Sequence, residues 1–99
     1  AKPEELQETL PRHLDYQKAM EAEGKLFLAG PLSDDTGEMM FGSGLIIYRA
    51  ASMAEASSMA EGDPMHKEGR RTFTLRKWLV NEGSPTLSTR LSDQKVILS

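Results

Sequence analysis

The 99-residue chain predicts a small α+β protein built around an antiparallel sheet. Three observations carry that prediction. Leu6, Leu10, Leu14 and Met20 recur at helical spacing, and Gly24 follows as a natural helix end. Lys25-Leu26-Phe27-Leu28-Ala29 and Leu45-Ile46-Ile47-Tyr48 read as strands, separated by the polar turn Ser33-Asp34-Asp35-Thr36-Gly37. Ser52-Met53-Ala54-Glu55 has the form of a capping box and opens a second helix rich in Ala and Met.

In chain order, the first difficulty is Pro11. Proline cannot sit deep inside a helix, so the first helix is predicted to start near Leu10 or Pro11. Residues 4–9 are then a separate turn leading in. His13 falls within the arc of Leu10, Leu14, Tyr16 and Met20 and is predicted to point inward. The first strand is predicted to end at Gly30-Pro31, because Pro31 cannot continue a central ladder. The two strands form a hairpin. The second helix runs to about Glu61 and Gly62 ends it. Thr72-Phe73-Thr74-Leu75 alternates as a half-buried strand. The phase slips before Trp78-Leu79-Val80, which predicts a bulge near Arg76 or Lys77. After Gly83-Ser84-Pro85, Val96-Ile97-Leu98 is a last short strand.

The order is therefore α-β-β-α-β-β. One strand in front would make it the split βαβ of ferredoxin-like folds. Residues 1–5 are too polar and too short to supply that strand. Three solutions are open: the C-terminal extension 83–99 completes the sheet in its own subunit, it swaps into a partner, or a strand lies upstream of Ala1.

The length bounds the chain to one domain, residues 1–99. A domain this small buries a modest share of its surface, so a second subunit would help to cover a sheet face. No apolar run approaches the length of a spanning helix, which predicts no membrane partner. The chain has no cysteine, so disulfides and thiolate chemistry are excluded. That composition fits a cytoplasmic protein. The net charge of -3 offers no global attraction for nucleic acid. Arg70-Arg71 with Arg76-Lys77 is the basic concentration, and it reads as a solvated strand edge rather than a polyanion site. Gly42-Ser43-Gly44 precedes a strand, not a helix, and is no phosphate loop.

Two residues stand out chemically. His13 and Asp63 are the minimum kit for proton transfer near neutral pH, and only a fold can join them. Each also has an ordinary reading. His13 can be a helix-face imidazole satisfied by one carbonyl. Asp63, before Pro64, can cap the turn through Met65 and His66. A carboxylate has room for both partners. His66 is a second imidazole and an alternative for the ring that meets a ligand. Metal ligation by His13, Asp63 and His66 lacks local ligand spacing, so no metal is predicted. Arg12 is either solvated beside Asp15 or a fork for a substrate oxyanion. Tyr16, Phe41, Tyr48 and Trp78 read as core or interface residues, with one or two able to stack on a planar ring.

These strings together resemble the YciI-like family of dimeric α+β barrels. The resemblance rests on Arg12-His13-Leu14, Tyr16, Glu23-Gly24-Lys25-Leu26, Ala29-Gly30-Pro31-Leu32, Ser52 with Glu55-Ala56, Gly62-Asp63-Pro64 and Gly69. It covers residues 5–78. The chain departs from the family in lacking the usual first strand and in the tail after Gly83. The resemblance implies a ferredoxin-like homodimer or higher oligomer in which two sheets pack into a barrel. It implies His13 and Asp63 as the catalytic pair. Arg12, Tyr16, Gly30, Pro31 and His66 are the expected substrate-binding residues, and no organic cofactor is expected. One activity in the family is loss of HCl from a chlorinated hydroxyhydroquinone, a lyase (dehydrochlorinase) step in chloroaromatic degradation. That activity on a small aromatic substrate is the expectation. The alternatives are an isomerase like muconolactone isomerase, a monooxygenase needing only oxygen, and a non-catalytic small-molecule binder.

Overall fold

The computed structural model describes residues 1–84, 87–90 and 95–98. Its first element, α1, is one 20-residue helix, Pro3–Ala22, with Pro11 inside it. The expected start near Leu10 is therefore corrected to Pro3. Pro11 has no N–H for the Gln7 carbonyl, a defect that costs roughly 3 kcal/mol in an unsupported helix. Three side chains brace the helix on both sides of that defect. Thr9 donates its hydroxyl to Glu68 at 3.0 Å and accepts from Arg70 at 3.1 Å. Arg70 also reaches Glu5 at 2.7 Å, and Arg12 forks onto Glu68 at 2.6 and 2.9 Å. Local periodicity carries no trace of these distant partners. The other end behaves as expected. Gly24 takes φ 74°, its N–H bonds Glu21 O at 3.0 Å, and Lys25 N–H bonds Met20 O at 2.9 Å. That pair of bonds closes the helix as a Schellman motif.

β1 (Leu26–Ser33) and β2 (Met40–Tyr48) form the expected antiparallel hairpin, with Leu26 opposite Tyr48 and Gly30 opposite Leu45. β1 continues through Pro31, which pairs with Gly44, so the predicted stop at Gly30-Pro31 is corrected. Both strands of a two-stranded sheet are edges, where proline is tolerated. Asp34 organises the turn, accepting from Thr36 N–H at 3.0 Å and from the Thr36 hydroxyl at 2.6 Å. The register slips between Pro31 and Ser33, and Gly42 there has φ 84°. The Gly42 carbonyl accepts from Arg71.

α2 (Met53–Gly62) begins as the capping signal predicts: Ser52 Oγ accepts from Glu55 N–H at 3.1 Å. A single-turn helix, α3 (Pro64–Lys67), follows at once and was not anticipated. Residues 71–84 carry no regular secondary structure. The predicted strand at 72–75 and the bulge at 76–77 are thus not formed. A strand needs a neighbouring ladder, and among the described residues this segment pairs with neither sheet. The tail forms its own hairpin, with β3 (Leu87–Arg90) antiparallel to β4 (Lys95–Leu98). It pairs with itself, not with the edge of the β1–β2 sheet.

The fold is α+β with the helix and hairpin order of ferredoxin-like proteins. Its buried apolar core is Leu26, Met59, Ala60 and Met65, under α1 and around the α2–α3 junction. The polar residues Thr9, Gln17 and Asp63 are buried with them. Leu10 is exposed, so α1 packs inward partly through Thr9 and Gln17 while Leu10 looks outward. Phe27, Leu45, Met53 and Trp78 are exposed too. The Phe41 side chain lies outside the described residues.

Candidate active site

Asp63 occupies the joint between α2 and α3. Gly62 ends one helix and Pro64 starts the next, so Asp63 is a C-cap and an N-cap at once. Its Oδ1 accepts from Met65 N–H at 2.9 Å. The same carboxylate meets His13 Nδ1, at 2.7 Å through Oδ1 and 2.9 Å through Oδ2. One carboxylate thus caps the turn and contacts His13. Its side chain is fully buried, and that of His13 is 17% exposed. A carboxylate oxygen accepts here, so His13 Nδ1 donates its N–H, and the neutral form of the ring presents its lone pair at Nε2.

His66 is set in a similar way by a different partner. Its Nδ1 lies 2.7 Å from the Ala60 carbonyl, which can only accept. The neutral ring then also presents an Nε2 lone pair. The ring packs against Phe73 with centroids 4.6 Å apart. The two imidazoles thus spend Nδ1 on Asp63 and Ala60. Among the described residues, no three His, Asp or Glu side chains gather as a metal site.

Tyr16 acts as a strut. Its hydroxyl donates to Met59 O at 2.7 Å, and a Cβ on Gly62 would sit 2.7 Å from that hydroxyl oxygen. Glycine at 62 is what lets α1 approach the end of α2. Tyr48 is a less expected feature. Its hydroxyl is buried and has no hydrogen-bond partner among the described residues. Burial, then the Asp63 charge and Tyr16, push this phenol above its ordinary pKa, so it stays protonated.

Arg12 forks onto Glu68. The Arg12 hydrogen bond, helped by Thr9, holds the Glu68 carboxyl down at about 2. Arg12 is in turn raised by Glu68.

A cleft of about 1880 Å³ lies between α1, the hairpin and residues 69–80. His13, His66, Gly30 and Pro31 line it, with Asp63 behind His13. Arg12 and Tyr16 do not. The arrangement brings together five of the anticipated residues, His13, Asp63, His66, Gly30 and Pro31, while Arg12 bonds Glu68 and Tyr16 bonds the Met59 carbonyl. Sequence reasoning missed Thr9, Glu68 and Arg70 as the brace behind the site. Their types and spacing carry no signal that predicts it.

A small α+β protein with a buried carboxylate oriented on a cleft imidazole is the class that fold and site define. The chain belongs to the YCII-related domain family, whose model matches residues 1–78. It is also similar to the uncharacterized protein YjpA of Bacillus subtilis (strain 168), 31% identical over 76 residues, covering 77% of this chain and 82% of that protein. No solved structure matches the chain significantly. Among the described residues, no helix is long and apolar enough to cross a membrane.

Proposed function

We propose that the chain is a cofactor-free lyase that removes HCl from a chlorinated hydroxyhydroquinone, using His13 and Asp63 for proton transfer. The single observation that carries this reading is the two-point contact of His13 Nδ1 on buried Asp63, at 2.7 and 2.9 Å. It leaves Nε2 as an oriented proton acceptor on the cleft wall.

The step balances without an oxidant. The aromatic ring first shifts to a keto form, which puts chlorine on a tetrahedral carbon. His13 Nε2 then takes the proton of a ring hydroxyl. That oxygen forms C=O, and chloride leaves with the C–Cl electron pair. The ring ends as a hydroxyquinone. Asp63 holds the imidazolium while the charge exists. General acid–base help of this kind is worth roughly 10²–10⁴-fold. Gly30, Pro31 and His66, on the cleft wall, are the proposed substrate contacts.

The working unit is a homodimer. Ligand pockets usually measure about 300–1,000 Å³, and this cleft is about 1880 Å³. Exposed Leu10, Phe27, Leu45, Met53 and Trp78 lie on its wall. Exposed apolar side chains gathered along one cleft support an interface there. A second copy seated there would narrow the cleft and cover the sheet.

The test is a chloride-release screen of chlorinated hydroxyhydroquinones beside muconolactone-type lactones. Chloride release without oxygen uptake supports the lyase. Lactone isomerisation alone, or no turnover of any compound, sinks it.

A further inference from the structure

The charge on the cleft wall is opposite to the charge of the chain. The sequence has 15 acidic residues against 12 Lys and Arg, a net charge of -3. Yet the cleft is lined by Arg49, Arg70, Arg71, Arg76 and Lys77, and among the described residues lining it none is Asp or Glu. The segment that reads in sequence as a solvated strand edge forms no strand. It runs along the cleft instead and brings four of the five cations there.

Three of those guanidinium groups are held in place. Arg49 donates to Gly24 O at 3.2 Å and lies over the Phe27 ring, 4.6 Å from its centroid. Arg70 bonds Thr9 and Glu5, and Arg71 bonds the Gly42 carbonyl. Each spends one or two of its five N–H donors on those partners. Of the five cations, Glu5 neutralises one, Arg70. Arg76 and Lys77 are exposed and enter none of the ion pairs found among the described residues. Asp63 is buried behind His13 and does not line the cleft. A cleft with one sign of charge and apolar walls focuses its field on whatever enters.

We infer that the cleft is an anion site, taking a small planar ring that carries a carboxylate or phenolate. The ring fits the apolar and aromatic wall, which includes Phe73 and His66 in contact with each other. The negative oxygen fits the guanidinium groups. This inference rests on the cleft being the ligand site of the proposed lyase, where it adds a role: the cations favour the ring oxygen as it gives up its proton to His13. A polyanion is the poorer fit, since the chain outside the cleft is acidic overall.

The test uses salicylate and its neutral analogue salicylamide, titrated calorimetrically into the full chain at low and high NaCl. Salicylate is expected to bind roughly tenfold tighter at low salt, the worth of one or two charge-assisted hydrogen bonds. The gap should close at high salt. Arg76→Gln with Lys77→Gln, both at exposed positions, should shrink the gap and leave salicylamide unchanged. Arg71→Gln is a second variant on the same wall. Equal binding of the two probes overturns the inference. So does a preference that survives the Gln variants while sedimentation shows the oligomer dissociating, because the cations would then serve an acidic face of a second copy. A His13→Ala chain should keep the salicylate preference. If that preference stands but no chlorinated hydroquinol is turned over by the parent, the lyase reading fails and the anion site remains.

Discussion

At the scale of single residues, Asp63 does two jobs that can be separated. Its Oδ1 caps α3 through Met65, and the whole carboxylate orients His13. Asparagine can still accept the Met65 N–H, but it brings no charge to His13. Alanine does neither. Asp63→Ala should therefore lose about 1 kcal/mol more stability than Asp63→Asn, the usual worth of an N-cap, while both lose the oriented imidazole. Matched thermal melts with an imidazole NMR signature check this. The residues alone show Asp63 in good turn chemistry and His13 on an inward helix arc, and the expectation that the two pair comes from the family resemblance. Arg12 was read differently because Glu68, 56 residues away, cannot be seen from its neighbours.

At the scale of elements, the brace between α1 and the α3 region explains how a proline is carried inside a helix. Glu68 receives Thr9 and Arg12, and Arg70 ties Thr9 to Glu5. Pro11→Ala restores the missing N–H while the brace stays, so it should stabilise the chain by about 1–3 kcal/mol. Denaturant melts measure this, and a loss of stability would contradict it. The brace also has a pH signature. Glu68 falls from 4.5 to about 2 on folding. A carboxyl depressed in this way contributes stability in full above its unfolded pKa and loses it as pH falls toward the folded one. Glu68→Gln should therefore melt lower than the parent at neutral pH, with the gap closing between about pH 4.5 and pH 2. The capping signals at Ser52 and Gly24 were readable because caps are local. The start of α1 and the fate of residues 72–75 were not, because tertiary partners decide them.

At the scale of the molecule, one chain leaves its sheet half covered. The buried apolar set is Leu26, Met59, Ala60 and Met65, while Trp78 stays 63% exposed beside the cleft. Trp78→Asp should leave the melting of an isolated chain nearly unchanged, since the side chain packs little within it. The same change should shift sedimentation toward the monomer. An oligomer that survives it would place the interface elsewhere. The α+β class was readable from periodicity and turns. The cleft's charge was not, since it depends on which side of an unpaired segment faces the site.

His13 and Asp63 are proposed to move a proton together, and the anaerobic rate of chloride release from a chlorinated hydroxyhydroquinone reads that step. Parent, His13→Gln and Asp63→Asn chains are compared at equal folded fraction. Steady release by the parent and a loss of roughly 10²-fold or more in each variant are expected. The double variant should be no slower than the worse single one, because the pair acts as a unit. Folded variants that release chloride as fast as the parent would contradict the proposal.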